Sequence, residues 1–138
     1  MNDNILAVPI LLPLLGALLL VILNKQVRLS RFIALFVLLI SFIVSLVMLI
    51  DVYNHKPIVL NFGNWEAPFG IQYVGDALSL ILVTTTFLVV FMIVAFGFGR
   101  GEKRASRYYL LSFVLFLTTG VVGSFLTSDL FNLYVMFE

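Results

Sequence analysis

Glu138 closes an apolar run, Leu130-Phe131-Asn132-Leu133-Tyr134-Val135-Met136-Phe137, that reads as a helix. Ahead of it Thr127-Ser128-Asp129 forms a polar turn, in which Ser128 or Asp129 is the expected N-cap. Nine residues separate Asp129 from Glu138. At 1.5 Å per residue they rise about 13.5 Å, against about 15 Å for half of a hydrocarbon core. A helix entering the bilayer at Asp129 therefore carries Glu138 close to the midplane. A charged residue at that depth costs about 2.5–3.5 kcal/mol, and such groups persist where they face a protein interior or a water path, as in proton relays. Loss of water favours the neutral form of a carboxyl, and a nearby cation favours the charged form. Balanced between the two, the group exchanges protons near neutral pH. Proton relay is the chemistry expected of Glu138. The competing reading is an exposed terminus on a short interfacial helix. A helix stopping at mid-bilayer would leave four carbonyls without partners, so the segment reads as the first half of a span in a longer protein.

Two further carboxylates stand at helix starts. Asp129 lies half a helical revolution from the Glu138 face, and its expected role is capping, with a place at an ion entrance as the alternative. Asp76 precedes another apolar stretch with Ser79 three residues on, and capping aided by the helix dipole is again expected ahead of an ion entrance. The remaining polar groups of the apolar stretches are hydroxyls and small residues. Ser41/Ser45, Thr119/Gly123 and Gly120/Ser124 are each four apart, a spacing that lets helix backbones approach in lipid. Thr84, Thr85 and Thr86 point in three directions, so at least one should bond the carbonyl a turn earlier. Pro9 and Pro13 share a face of the first stretch, where packing is their expected role.

The elements that must hold these groups follow from composition. The chain of 138 residues is 62% hydrophobic and only 11% charged, with a net charge of +1 and a mean hydropathy of +1.17. Such a balance suits lipid rather than water and implies no nucleic-acid partner. With no cysteine and a single histidine, His55, the chain can hold neither an iron–sulfur cluster nor a pair of axial haem ligands, and no cofactor or metal is expected. Four charge-free windows are long enough to span: Ile5–Leu23, Phe32–Ile50, Ala77–Phe98 and Tyr108–Thr127. The expected fold is an all-α integral membrane domain of four complete helices plus the first half of a fifth over 129–138. The 51–76 loop reads as a small β-hairpin, with Ile58-Val59-Leu60-Asn61-Phe62, a Gly63-Asn64 turn and Ile71-Gln72-Tyr73-Val74. Trp65, Tyr53 and Tyr73 suit the membrane interface.

Topology follows from the cations. Asn2, Asp3 and Asn4 precede the first window, and Lys25, Arg28 and Arg31 follow it, the order of an uncleaved helix rather than a signal peptide. With Arg100, Lys103, Arg104 and Arg107, seven positive residues fall on one side against Lys56 on the other. Loops 24–31 and 99–107 are therefore expected in the cytoplasm, and the N-terminus and the 51–76 loop outside.

The stretches Gly63-Asn64-Trp65-Glu66-Ala67-Pro68-Phe69-Gly70-Ile71, Gly101-Glu102-Lys103-Arg104 and Gly123 to Glu138, together with Asp76, closely resemble the MrpD subunits of the Mrp-type multisubunit sodium/proton antiporters. These subunits are relatives of the proton-pumping membrane subunits of NADH:quinone oxidoreductase. The resemblance extends along the whole chain but over roughly the first quarter of such a subunit. It implies a fold of fourteen helices with two inverted five-helix repeats. It also implies that Glu138 matches the fifth-helix glutamate, which works with a lysine on a later helix. That lysine has no counterpart here, since Lys25, Lys56 and Lys103 are all in predicted loops.

The expectation drawn is the N-terminal part of a monovalent cation/proton antiporter subunit in a bacterial cell membrane. It would be a secondary transporter rather than an enzyme, moving Na+ or K+ against H+ among other membrane subunits of a hetero-oligomeric complex. Two alternatives stay open: a non-redox membrane-arm subunit of an NADH:quinone oxidoreductase or membrane hydrogenase, and a short, non-transporting membrane assembly protein.

Overall fold

The computed structural model describes residues 3–22, 27–61, 70–97 and 104–138. A 3-10 turn, Asp3–Ala7, leads into α1 (Val8–Ile22) and α2 (Val27–Asn54). Strands β1 (Ile58–Asn61) and β2 (Gln72–Gly75) follow, then α3 (Ala77–Phe96), α4 (Arg104–Leu126) and α5 (Leu130–Phe137). Among the described residues four helices are long and apolar enough to cross a membrane, over Asn4–Ile22, Leu29–Asn54, Ala77–Phe96 and Tyr109–Leu126. The expected class, four spans with a half-length fifth helix and a small antiparallel sheet, is the observed one.

The helices extend beyond the hydropathy windows where charges begin. Arg28 and Arg31 lie in α2 rather than in a loop, as do Asp51 to Asn54 at its other end, and α4 already includes Arg104 and Arg107. Hydropathy stops at the first charge, whereas a backbone hydrogen-bond ladder does not, and arginine is a good helix former. Conversely, α3 stops two residues short of its window, closed by the Gly97 N–H on the Ile93 carbonyl. Lys25, the Gly63-Asn64 turn, Trp65, Arg100 and Lys103 lie outside the described residues.

α1 packs on α4 and α2, and α3 packs on α2 and α4, so the four spans close into a ring with α2 and α4 touching across it. Ala17, Leu20, Ala34, Leu38, Leu80, Val83, Phe87, Leu115 and Val122 fill its interior. Outward-facing residues such as Leu15, Phe36, Phe113 and Leu117 are exposed, as helices in lipid require. Lipid tails are as apolar as leucine, so contact must come from close fit. Gly16 supplies it between α1 and α2, where an added Cβ would lie 3.1 Å from both γ-carbons of Val37. Three buried threonine hydroxyls turn back on their own helices: Thr84 donates to Leu80 O at 2.7 Å, Thr118 to Val114 O at 2.7 Å and Thr119 to Leu115 O at 3.0 Å. Thr86 likewise donates to Leu82 O at 2.8 Å, so two of the three consecutive threonines behave as their spacing predicts.

β1 and β2 pair antiparallel from Ile58 opposite Gly75 to Asn61 opposite Gln72. An isolated two-stranded hairpin is marginal, and this one leans on the bundle through the buried Ile58, Leu60 and Tyr73. Leu6 of the 3-10 turn lies against Gly75 so closely that a Cβ there would come within 2.6 Å of its δ-carbon. At the far end of the bundle Arg31 of α2 donates to the Ala95 carbonyl in the last turn of α3. A cation there complements the helix dipole, so Arg31 is a tertiary cap as well as a flanking charge.

Candidate functional site

After α4 the chain turns at Thr127–Asp129, and α5 returns alongside α4. Of the two expected caps, Asp129 does the work: its carboxylate accepts from the N–H groups of Phe131 and Asn132, both at 3.3 Å. Ser128 is used otherwise. Its N–H and its Oγ both donate to the Gln72 carbonyl, at 3.1 and 3.0 Å, and the Gln72 side chain in turn donates to Asn61 Oδ1 at 2.9 Å. Thr127 forms a β-bridge with Tyr73. The α4–α5 corner is thereby stitched to the edge of β2.

α5 is apolar at most positions, yet the residue it buries is Asn132, at 3% exposure, while Leu130, Phe131 and Phe137 face outward. Asn132 Nδ2 donates to Thr127 Oγ1 at 2.9 Å, and its side chain also hydrogen-bonds the Tyr73 hydroxyl. Burial pushes the Tyr73 phenol above its ordinary pKa, an effect partly offset by that bond. One turn on, Met136 rests against α4 where glycines leave room. A Cβ on Gly120 would stand 2.8 Å from the Met136 carbonyl oxygen, and one on Gly123 would stand 2.5 Å from its sulfur. The small-residue spacing seen in the sequence thus serves helix packing.

Glu138 follows the last turn of α5, its N–H bonded to Tyr134 O at 3.1 Å. Its side chain is exposed and borders an open groove of about 630 Å3 along α4, lined by Phe113, Leu117, Gly120, Ser124 and Met136 among others. Those α4 residues straddle the middle of the Tyr109–Leu126 segment. Ser124 donates its hydroxyl proton to Val121 O at 2.7 Å. Among the described residues that line the groove, Glu138 is the one that carries a charge.

Asp129 and Asp76 are absent from that lining. Asp76 caps α3, accepting from the Ser79 N–H at 2.7 Å, and its bonds to Ser79 hold its carboxyl below the ordinary carboxylate pKa. The three acids therefore serve three separate places, with capping observed for both aspartates. His55 pairs with Asp51 at 3.3 Å on the exposed end of α2. Among the described residues no group of three or more His, Cys, Asp or Glu side chains could hold a metal. Asn132 and Tyr73 escaped the sequence reading of the site. The available signal was an amide on the same helical face as Met136, in a run otherwise apolar.

No family model matches the chain. All 138 residues align at 59% identity with proteins named "Putative antiporter subunit mnhD2" from Staphylococcus haemolyticus and Staphylococcus aureus. The chain spans 28% of the length of these relatives. Among solved structures it superposes on part of the Mrp complex from Dietzia sp. DQ12-45-1b with a TM-score of 0.88 and 30% identity, over 99% of this chain and 25% of that one. A chain of the archaeal membrane-bound sulfane sulfur reductase shares the fold at the same TM-score with 24% identity, over 96% of this chain and 28% of its own. Along its whole length the chain is thus similar to proteins named as antiporter subunits and to part of an Mrp complex, and it spans a little over a quarter of those relatives.

Proposed function

We propose that this chain is part of a subunit that exchanges Na+ or K+ for protons across a bacterial cell membrane, within a multisubunit complex, and that Glu138 is its proton relay. The observation that carries the reading is the groove: among the described residues that line it Glu138 is the charged one, set against apolar residues from the middle of a candidate membrane span. As a relay, Glu138 would lose its proton as a cation arrives from elsewhere in the complex to match the carboxylate charge. Proton loss and cation arrival are thereby coupled. The excess of Lys and Arg at 24–31 and 99–107 supports a cytoplasmic location for that end of the bundle and an outward-facing hairpin. A respiratory membrane-arm subunit shares this fold, and the 59% identity to antiporter subunits favours exchange over redox-driven pumping.

The test is E138Q in the complete subunit, assembled in its complex, with sodium-dependent proton exchange followed in everted vesicles by a pH-sensitive dye. Loss of exchange at normal expression is expected. Normal exchange by that variant removes the relay.

A further inference from the structure

We propose that Asn132 is a positioning residue that, through Thr127 and Tyr73, sets the rotational phase of α5 and so the direction in which Glu138 faces. The inference rests on the relay reading above.

Most of the surface of α5 cannot choose its own orientation. A helix whose sides are Leu, Phe, Val and Met gains almost the same contact energy at any rotation when lipid and protein are equally apolar. A buried polar group breaks that degeneracy, because its unsatisfied donors are expensive in hydrocarbon. Asn132 is that group. It is the residue α5 buries, its Nδ2 is held by Thr127 Oγ1 at 2.9 Å, and its side chain meets the Tyr73 hydroxyl. Met136, on the same face one turn on, limits how near the helix comes through Gly120 and Gly123. The glycines set distance and the asparagine sets phase. The reference frame is firm, since Tyr73 is buried in the hairpin and Ser128 is bonded to Gln72 O at 3.1 and 3.0 Å.

The consequence for Glu138 is geometric. Side-chain tips lie about 5–6 Å from a helix axis, so a 20° rotation displaces one by roughly 2 Å. An error near 1 Å in a reacting group can cost on the order of a hundredfold in rate.

The experiment uses the complete subunit in its complex, with N132L, T127V and the conservative T127S. Phase is read by disulfide cross-linking between cysteines placed at Phe137 and Leu117, both on the groove, a readout independent of transport. Function is read as maximal exchange rate and half-saturating sodium concentration. N132L and T127V are expected to lower cross-link yield about fivefold and maximal rate about tenfold, with half-saturation unchanged within about twofold, since alignment rather than cation binding is lost. T127S should restore both readouts. T127V keeps side-chain volume, so it remains decisive should N132L fail to assemble. Unchanged cross-linking in both variants, or an equal loss in T127S, overturns the clamp. Intact exchange in E138Q would instead remove the relay alone, and cross-linking would still decide the clamp.

Discussion

Gly120 offers the sharpest quantitative handle on α5. The Cβ of G120A would stand 2.8 Å from the Met136 carbonyl oxygen, whereas ordinary contact begins near 3.4 Å, so α5 must withdraw by 0.6 Å at that point. The helix is held at Asn132, four residues or about 6 Å before Met136 and six residues or about 9 Å before Glu138. Pivoting there enlarges the displacement to roughly 0.9 Å at Glu138. Overpacking of this kind costs about 1–3 kcal/mol, offset by about 1 kcal/mol of helix propensity gained over glycine. Net destabilisation of about 0–2 kcal/mol should therefore accompany a larger functional loss. Gly123 is the control. Its added Cβ would meet the Met136 sulfur at 2.5 Å, and a thioether has rotamers with which to yield. G123A should keep most activity while G120A loses most of it. Both are read as thermal stability of the purified complex in detergent and as sodium-dependent exchange in vesicles. Equal behaviour of the two variants, or a G120A complex that is more stable and fully active, refutes the rigid-backbone argument.

Two other outcomes follow from the ends of the helices. The bonds from Ser79 hold Asp76 below its ordinary pKa in the folded state. Its contribution is therefore complete above the unfolded-state pKa and lost as pH falls through the depressed one. Acid melting curves should show this loss, and D76N should flatten that limb without altering stability at neutral pH by more than about 1 kcal/mol. R31M, which removes the donor to the Ala95 carbonyl, should lower stability by about 1–2 kcal/mol, with R31K recovering part of it in the same melts.

Hydropathy and charge flanks located every span, because in lipid the backbone must satisfy itself and length is dictated by the bilayer. The hairpin was legible from two short strand-like runs, Ile58 to Phe62 and Ile71 to Val74, and Asp76 and Asp129 from their places ahead of apolar runs. What could not be read was which residues meet across the chain. Asn132 and Tyr73 are far apart in sequence, and nothing in either neighbourhood announces the other. Ser128 looked as good a cap as Asp129, and only the nearness of the Gln72 carbonyl diverts it to the sheet. Arg31 read as a topology signal because its partner is a backbone oxygen, which has no sequence signature. One-dimensional patterns report the solvent a residue prefers, while partner choice depends on how the helices close.

The stitch between Ser128 and Gln72 joins residues 56 apart in sequence. At bacterial synthesis speeds of about 5–20 residues per second, Gln72 leaves the ribosome roughly 3–11 s before its mate. In that interval β2 can pair with β1 and settle on Leu6, both encoded earlier, so a finished docking rim awaits the nascent α4–α5 corner. Biogenesis thus runs in one direction, from platform to passenger: mutations that unsettle the hairpin should surface as late assembly defects in α5.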